Sequence, residues 1–481
     1  MMVDNPVKDA QPETVRALIG GSWREAVEMR EIKDPFRGNT VAFEPTADQR
    51  DCDDAIAAAH AAKDKIAAMP GYERAAMLRR AADRVEEHAD EIGYAMALET
   101  GKALRDSLGE ARRSADSLRL CAEEAVRIQG EHVPMDSGAL GAGKIAMVMR
   151  FPVGVVVGIT PFNAPVNCAA HKIGSALAAG NSVILKPSPK APLCIHKFIQ
   201  AMQEADLPEG ALNAIYGDAI GPQLVADQRV GFVSFTGSIP VGKIIRNNVG
   251  MKRVALELGG VGPTFVHSDA DLTAAAKACA RNAMLVSGQS CISVQNVFVE
   301  KSVYDRFVSM VESEIDTLRV GDPMDMATDI GTLIDEAAAK RVQGVLDEAV
   351  EAGAERLRGG ERRGAQVDPT LLVNVNGSMR AVRDELFGPG MSIQPYEEIE
   401  PIFKEISDSP YGLQCGIFTG SLSLALAAIK KVRTGGVIVN GTSRWRSDQM
   451  PYGGVKDSGI GREGPKYAIQ EMMDERFFVL N

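Results

Sequence analysis

Val153-Gly154-Val155-Val156-Val157-Gly158-Ile159-Thr160 opens the stretch on which the fold is decided. The run is almost continuously apolar and β-branched, the composition of a strand buried on both faces. Helical spacing follows from Asn167 to Ala179, then a strand from Ser182 to Lys186, a helix from Cys194 to Ala205 and a strand from Ala211 to Tyr216. The alternation continues with a strand from Val230 to Phe235, a short helix from Val241 to Asn247 and a strand from Arg253 to Leu258. Valine-rich strands joined by helices predict an α/β fold with a parallel sheet covered on both faces. This is the doubly wound layout that holds nucleotides at the carboxyl ends of its strands.

Upstream, Ala17 to Trp23 reads as a short strand and turn, and Asp48 to about Arg127 as alanine-rich amphipathic helices broken at Pro70-Gly71 and Gly101. The helical pattern stops between Gly130 and Val148. Gly138, Gly143 and Lys144 there mimic the start of a phosphate-binding loop, but Ile145 stands where a magnesium-binding hydroxyl is needed and no strand leads in. Downstream of Gly259 a second α/β unit begins, with helices from Val303 to Leu318 and from Glu336 to Ala352 and a strand from Gly435 to Asn440. A glycine-rich loop, a helix and an apolar run from Arg476 to Leu480 close the chain.

The chain has 481 residues, which is long for one core and predicts two or three structural units. A net charge of -11 with interspersed signs argues against nucleic acid as a partner. No apolar run reaches the roughly 18 residues that span a bilayer, and Met1 to Thr14 is polar and acidic rather than signal-like, so a cytoplasmic protein is expected. Seven cysteines without a C-x-x-C pair predict reduced thiols, and six histidines without HExxH spacing predict no catalytic metal.

Three polar side chains stand at the exits of apolar segments. Cys291 lies in the small-residue loop Ser287-Gly288-Gln289-Ser290-Cys291-Ile292-Ser293, Glu257 ends the strand before Gly259-Gly260, and Asn163 follows Thr160-Pro161-Phe162. A lone cysteine reads equally as a small buried apolar residue. Together, the three supply a nucleophile, a general base and an oxyanion donor for attack on a carbonyl.

These stretches resemble the aldehyde dehydrogenase superfamily, and the resemblance runs through nearly the whole chain. Its landmarks are Pro161-Phe162-Asn163, Lys186-Pro187-Ser188, Phe235-Thr236-Gly237-Ser238, Glu257-Leu258-Gly259-Gly260, Gly288-Gln289-Ser290-Cys291, Glu385-Leu386-Phe387-Gly388-Pro389 and Pro451-Tyr452-Gly453-Gly454-Val455-Lys456. The resemblance implies a Rossmann-type cofactor domain over 1–129 and 149–258, a catalytic domain over 259–440, and β oligomerisation segments over 130–148 and 465–481 of a homodimer or homotetramer. It implies attack by Cys291 on an aldehyde, with Asn163 and the Cys291 backbone N–H stabilising the oxyanion. Hydride transfer to a nicotinamide then leaves a thioester, which Glu257 hydrolyses through an activated water. Lys172 and Glu463 match positions that relay the base's proton; a surface ion pair is the other reading.

For the cofactor, the resemblance implies that the phosphates lie at Gly237, Ser238 and Gly242, the nicotinamide ribose at Glu385 and the nicotinamide at Phe387. Thr160, Pro161, Phe162, Leu258 and Gly259 complete the site. Lys186 and Ser188 meet the adenosine ribose. Three residues after this lysine, where NAD-preferring relatives commonly carry a glutamate, stands Pro189. Lost repulsion leaves room for a 2'-phosphate, with Lys190 as a further contact, so both NAD and NADP are expected.

Substrate choice rests on Arg113 and Arg446, which match positions facing the substrate tunnel. Two guanidinium groups suit a short aldehyde bearing a phosphonate, phosphate, sulfonate or carboxylate. Lactaldehyde-type and phosphonoacetaldehyde-type members look closest. Ser290 stands where some anion-specific relatives have a third arginine, and Ala164 where some have an aromatic residue or histidine. The alternatives are a small neutral aldehyde such as lactaldehyde, a coenzyme A-acylating relative, which Glu257 opposes, and a non-catalytic protein that kept the fold.

Overall fold

The computed structural model describes residues 11–26 and 28–481, so most of the polar start discussed above, residues 1–10, lies outside the described residues. Its centre is the strand Val155–Ile159, whose residues are all buried. It pairs in parallel with Ser182–Lys186 on one side and Phe232–Thr236 on the other. Arg253–Glu257 and Leu212–Ala214 extend the parallel part outward. Thr160, Lys186, Thr236 and Glu257 thus arrive at one edge of the sheet, where side chains stop being needed for the core and become available for a ligand.

The sheet has eight strands, and its outermost members depart from the all-parallel expectation. Ala17–Ile19 runs antiparallel to Leu212–Ala214, and Gly459–Ile460 runs antiparallel to Arg253–Glu257. Short antiparallel edges cover a parallel sheet without a crossover helix. The helices Gln49–Ala67, Gly71–Glu87, Ala89–Thr100 and Leu104–Ala125 form the alanine-rich layer over it. Asp48 starts the first of these with a reciprocal capping box. The last starts at Leu104, which is itself buried in a small cluster with Met324.

The second unit carries a seven-stranded sheet, with Asn296–Glu300 and Thr264–Val266 at its centre and parallel to one another. A third, three-stranded sheet joins Glu131–Val133, Ile145–Pro152 and Met473–Leu480. The phosphate-loop mimic is the connection between the first two of these strands, and the terminal strand starts at Met473 rather than at Arg476. Ile145, Met147, Met149 and Phe477 are exposed on this sheet. Among the described residues, no helix is long and apolar enough to cross a membrane, and no group of three or more His, Cys, Asp or Glu could hold a metal ion.

Candidate active site

The helix Leu272–Met284 leads into the nucleophile loop through Val286, Ser287 and Gly288, whose φ angles of 57°, 52° and 67° are left-handed. Such a run is costly for a β-branched valine and persists only where its surroundings enforce it. Gly288 has no room for a side chain, since a Cβ there would lie 1.9 Å from the Gly388 carbonyl oxygen. Gln289 pins the next step, accepting from the Ile334 N–H at 2.9 Å. The Asn163 amide, arriving from the first sheet, donates to the Gln289 carbonyl at 2.7 Å and so ties the two units together beside the thiol.

Cys291 Sγ lies 3.1 Å from the Tyr452 hydroxyl. Burial pushes the thiol up to about 11, and the Tyr452 hydroxyl is the largest influence in the opposite direction. Glu257 ends its strand with both carboxylate oxygens buried and without a hydrogen-bond partner. Burial, followed by repulsion from Glu463, raises its proton affinity well above the usual carboxylate range. Gly453 makes the space it occupies: a Cβ there would meet Glu257 Oε1 at 2.8 Å. Lys172 donates to Glu463 at 2.9 Å, and with side-chain exposures of 1% and 5% this is a buried pair, not a surface one. Lys172 also donates to Ser234 and Thr236.

Thr160, Pro161, Phe162, Asn163, Lys186, Ser188, Gly237, Ser238, Glu257, Leu258, Gly259, Cys291, Glu385 and Phe387 line one cleft of about 980 Å³. Gly242 sits just beneath it, where a Cβ would strike Leu258 at 2.6 Å. The cleft fits a dinucleotide. Ser238 heads the helix Ile239–Asn248 without capping it through its side chain, which leaves first-turn N–H groups for a phosphate. At the far end Glu385 is buried and pushed up to about 7, chiefly by burial, and accepts from the Gly260 N–H at 3.3 Å. Phe387, at a left-handed φ of 47°, meets Phe162 edge to face with centroids 5.9 Å apart. Lys186 pairs with Asp218 at 3.2 Å, and Lys190 is drawn away to Asp335 at 2.9 Å.

The two arginines expected at the substrate are already engaged by carboxylates. Arg113 donates twice to Asp448, both at 2.7 Å. Arg446 donates to Glu463 at 3.0 Å and lies with its Cζ 3.9 Å above the Tyr452 ring. Asp448 also bonds His171 at 2.9 Å and Asn167 at 3.2 Å, which fastens its loop to the helices Leu104–Ala125 and Pro165–Ala178. Ser290 is partly buried beside the nucleophile, outside the large cleft.

A profile of the aldehyde dehydrogenase family matches residues 23–478. The chain belongs to this family. The dehydrogenase is 44% identical over 466 residues to the 3-sulfolactaldehyde dehydrogenase of Priestia megaterium, covering 96% of this chain and 97% of that protein. It is 35% identical over 471 residues to the lactaldehyde dehydrogenase of Methanocaldococcus jannaschii, covering 96% and 100%. Among solved structures, it matches the NADP-dependent glyceraldehyde-3-phosphate dehydrogenase of Bacillus halodurans, complexed with NADP, with a TM-score of 0.94 and 36% identity over 97% of this chain and 99% of that one. Aldehyde dehydrogenase 21 of Physcomitrella patens, in complex with the product succinate, superposes with a TM-score of 0.95 at 34% identity, covering 98% and 99%. The enzyme is an NAD(P)-dependent aldehyde dehydrogenase.

Three residues of this dehydrogenase escape the sequence reading. Tyr452 sits within a quoted landmark, but an aromatic in a glycine-rich loop reads as packing. Asp448 and Arg444 share a loop with Arg446 and read as solvated charges. Arg444 Nε is buried without a hydrogen-bond partner, and its guanidinium forms no ion pair among the described residues.

Proposed function

We propose that the enzyme oxidises a short anionic aldehyde to its carboxylic acid by a hydrolytic route. The observation that carries the substrate class is the unpaired guanidinium of Arg444. Its neighbours are Asp106, Arg113 and Cys291, and no carboxylate among the described residues bonds to it. A half-buried guanidinium whose Nε has no partner is costly, and a substrate anion offsets that cost on binding. Its planar fork matches a sulfonate, phosphonate, phosphate or carboxylate. The relative named for 3-sulfolactaldehyde supports a sulfonate. Arg113 is paired with Asp448 and Arg446 with Glu463, so Arg444 is the guanidinium left for the substrate. Ser290, next to the nucleophile, supplies a hydroxyl at the same end.

In this reading the Cys291 thiolate attacks the aldehyde carbon. Asn163 uses one amide N–H to hold Gln289 and has its second free in valence for the oxyanion. When bound, the nicotinamide cofactor supplies the hydride acceptor. Glu257 then takes a proton from the water that attacks the thioester, and Lys172 with Glu463 gives that proton a polar route away from the buried base. Residues 1–129 and 149–258 carry the cofactor side, with Thr160, Pro161, Phe162, Lys186, Ser188, Gly237, Ser238, Gly242, Leu258 and Gly259. Residues 259–440 carry Cys291, Glu385 and Phe387. With Pro189 in place of a carboxylate and Lys186 and Ser188 at the ribose end, the site takes NADP as well as NAD. The exposed apolar residues on 130–148 and 465–481 make these the segments through which copies of the chain associate.

Kinetics on a panel of 3-sulfolactaldehyde, phosphonoacetaldehyde, succinate semialdehyde, lactaldehyde and propanal test the reading, with both cofactors and with and without coenzyme A. The anionic aldehydes lead in kcat/KM, and Arg444→Met lowers their values by about 100-fold while leaving propanal within a few-fold. Equal performance of lactaldehyde and an indifferent Arg444→Met overturn the anion anchor. The second reading, a small neutral hydroxyaldehyde, is favoured by the carboxylates that already neutralise Arg113 and Arg446.

A further inference from the structure

Tyr452 is 3% exposed, and backbone bonds with Glu463 in both directions, at 3.1 and 2.6 Å, keep its ring from swinging out. The ring packs with Ile292 and Leu413 against Cys291. Its hydroxyl stands 3.1 Å from Sγ, and the Arg446 guanidinium lies 3.9 Å above the ring face. Arg446 is held in turn by Glu463, and Glu463 by Lys172. A continuous, buried set of bonds therefore ends on the sulfur of the nucleophile.

We propose that Tyr452 is a catalytic residue whose hydroxyl stabilises the negative charge on Cys291 Sγ whenever the sulfur is a thiolate. The inference rests on Cys291 being the nucleophile. A buried phenol beside a partly buried thiol has one useful role when the sulfur is ionised, that of hydrogen-bond donor, since an anionic acceptor strengthens the bond. Burial holds the Tyr452 phenol well above its usual range, so it keeps its proton at the pH of catalysis. The Arg446 cation over the ring draws electron density from the phenol and makes it a stronger donor.

The role recurs at both ends of the cycle. In the first step, an electron pair on Sγ forms the C–S bond and the charge moves to the carbonyl oxygen, so Tyr452 loses its anionic acceptor. In hydrolysis, the water oxygen bonds to the thioester carbon and its proton goes to Glu257. The C–S bond then breaks, and its electron pair returns to Sγ, where the phenol meets it. No reactant beyond the aldehyde and water enters these two steps.

Tyr452→Phe removes one oxygen and leaves the ring under Arg446. Alkylation of Cys291 by iodoacetamide, followed at the Cys291 peptide by mass spectrometry across a pH series, reads the thiolate directly. The expected result is a midpoint raised by about one unit, hence ~10-fold slower alkylation below it, with kcat lowered at least as much. Should Tyr452→Phe fail to fold, 3-fluorotyrosine incorporated at position 452 makes a stronger donor and moves the midpoint down instead. A midpoint unmoved by whichever of these substitutions folds overturns the proposal. Cys291→Ala is assayed separately: turnover retained there removes the nucleophile reading, while the alkylation midpoint still reports on Tyr452 by itself.

Discussion

Glu257 is the residue whose environment most constrains how the enzyme responds to pH. As the proposed base it acts only when ionised, and burial beside Glu463 keeps its proton on beyond the ordinary carboxylate range. Turnover therefore rises with pH along a limb well above that range. Glu257→Gln abolishes the limb and lowers kcat by about 10² to 10⁴, which a kcat–pH profile of the two proteins reads. The linkage sign follows from the same shift. The native state holds a proton that the unfolded chain has released, so this residue makes the fold less stable as pH rises above the ordinary carboxylate range. Glu257→Gln accordingly gains stability relative to wild type on the alkaline side in denaturant titrations, and a gap constant with pH contradicts the assignment. That Cys291, Glu257 and Asn163 share one cleft was legible from the family landmarks in which they stand, since a lone cysteine in a small-residue loop reads as packing. Tyr452 and Arg444 were not, because their proximity to Cys291 comes from a loop folding back, which leaves no local period or composition to read.

At the scale of elements, the nucleophile loop is set by backbone rather than by side chains. Gly288→Ala puts a Cβ into the Gly388 carbonyl at a left-handed φ, so the loop must move. The conformational term alone is about 1 kcal/mol, and the collision adds to it. The expected outcome is at least a tenfold loss of kcat with the cofactor cleft intact, checked by activity beside cofactor-binding fluorescence. A variant with full kcat means that the left-handed run is dispensable. The interior strands were readable: Ser182–Lys186 has the bounds its apolar run predicts. Val153 was counted into the next strand because it is apolar, yet Gly154 follows at φ 106° and breaks the path before Val155. The antiparallel edges Ala17–Ile19 and Gly459–Ile460 are three and two residues long, too short for side-chain alternation to say which strand they join.

For the molecule as a whole, the small sheet of 131–133, 145–152 and 473–480 carries its apolar residues outward. Phe477 is 77% exposed and Met149 47%. An exposed apolar surface of that kind is the place at which the proposed association is tested. Phe477→Asp lowers the molar mass measured by light scattering to that of one chain of 51.4 kDa. A mass that is the same in both proteins places any association elsewhere. The family resemblance implies association through these segments. Composition alone does not, since isolated exposed apolar residues are ordinary.

The pairing of Glu257 with Gly459 at the edge of the large sheet also bears on how the enzyme comes into being. A ribosome delivers the amino end first, and a chain released before residue 459 holds its thiol and most of its cofactor cleft but lacks the strand that flanks the base. Gly453 and Glu463, which shape and charge the space around that carboxylate, arrive in the same last stretch. Translation thus completes the surroundings of Glu257 at the very end, so the space around this carboxylate takes its final shape only when the last strand of the large sheet is in place.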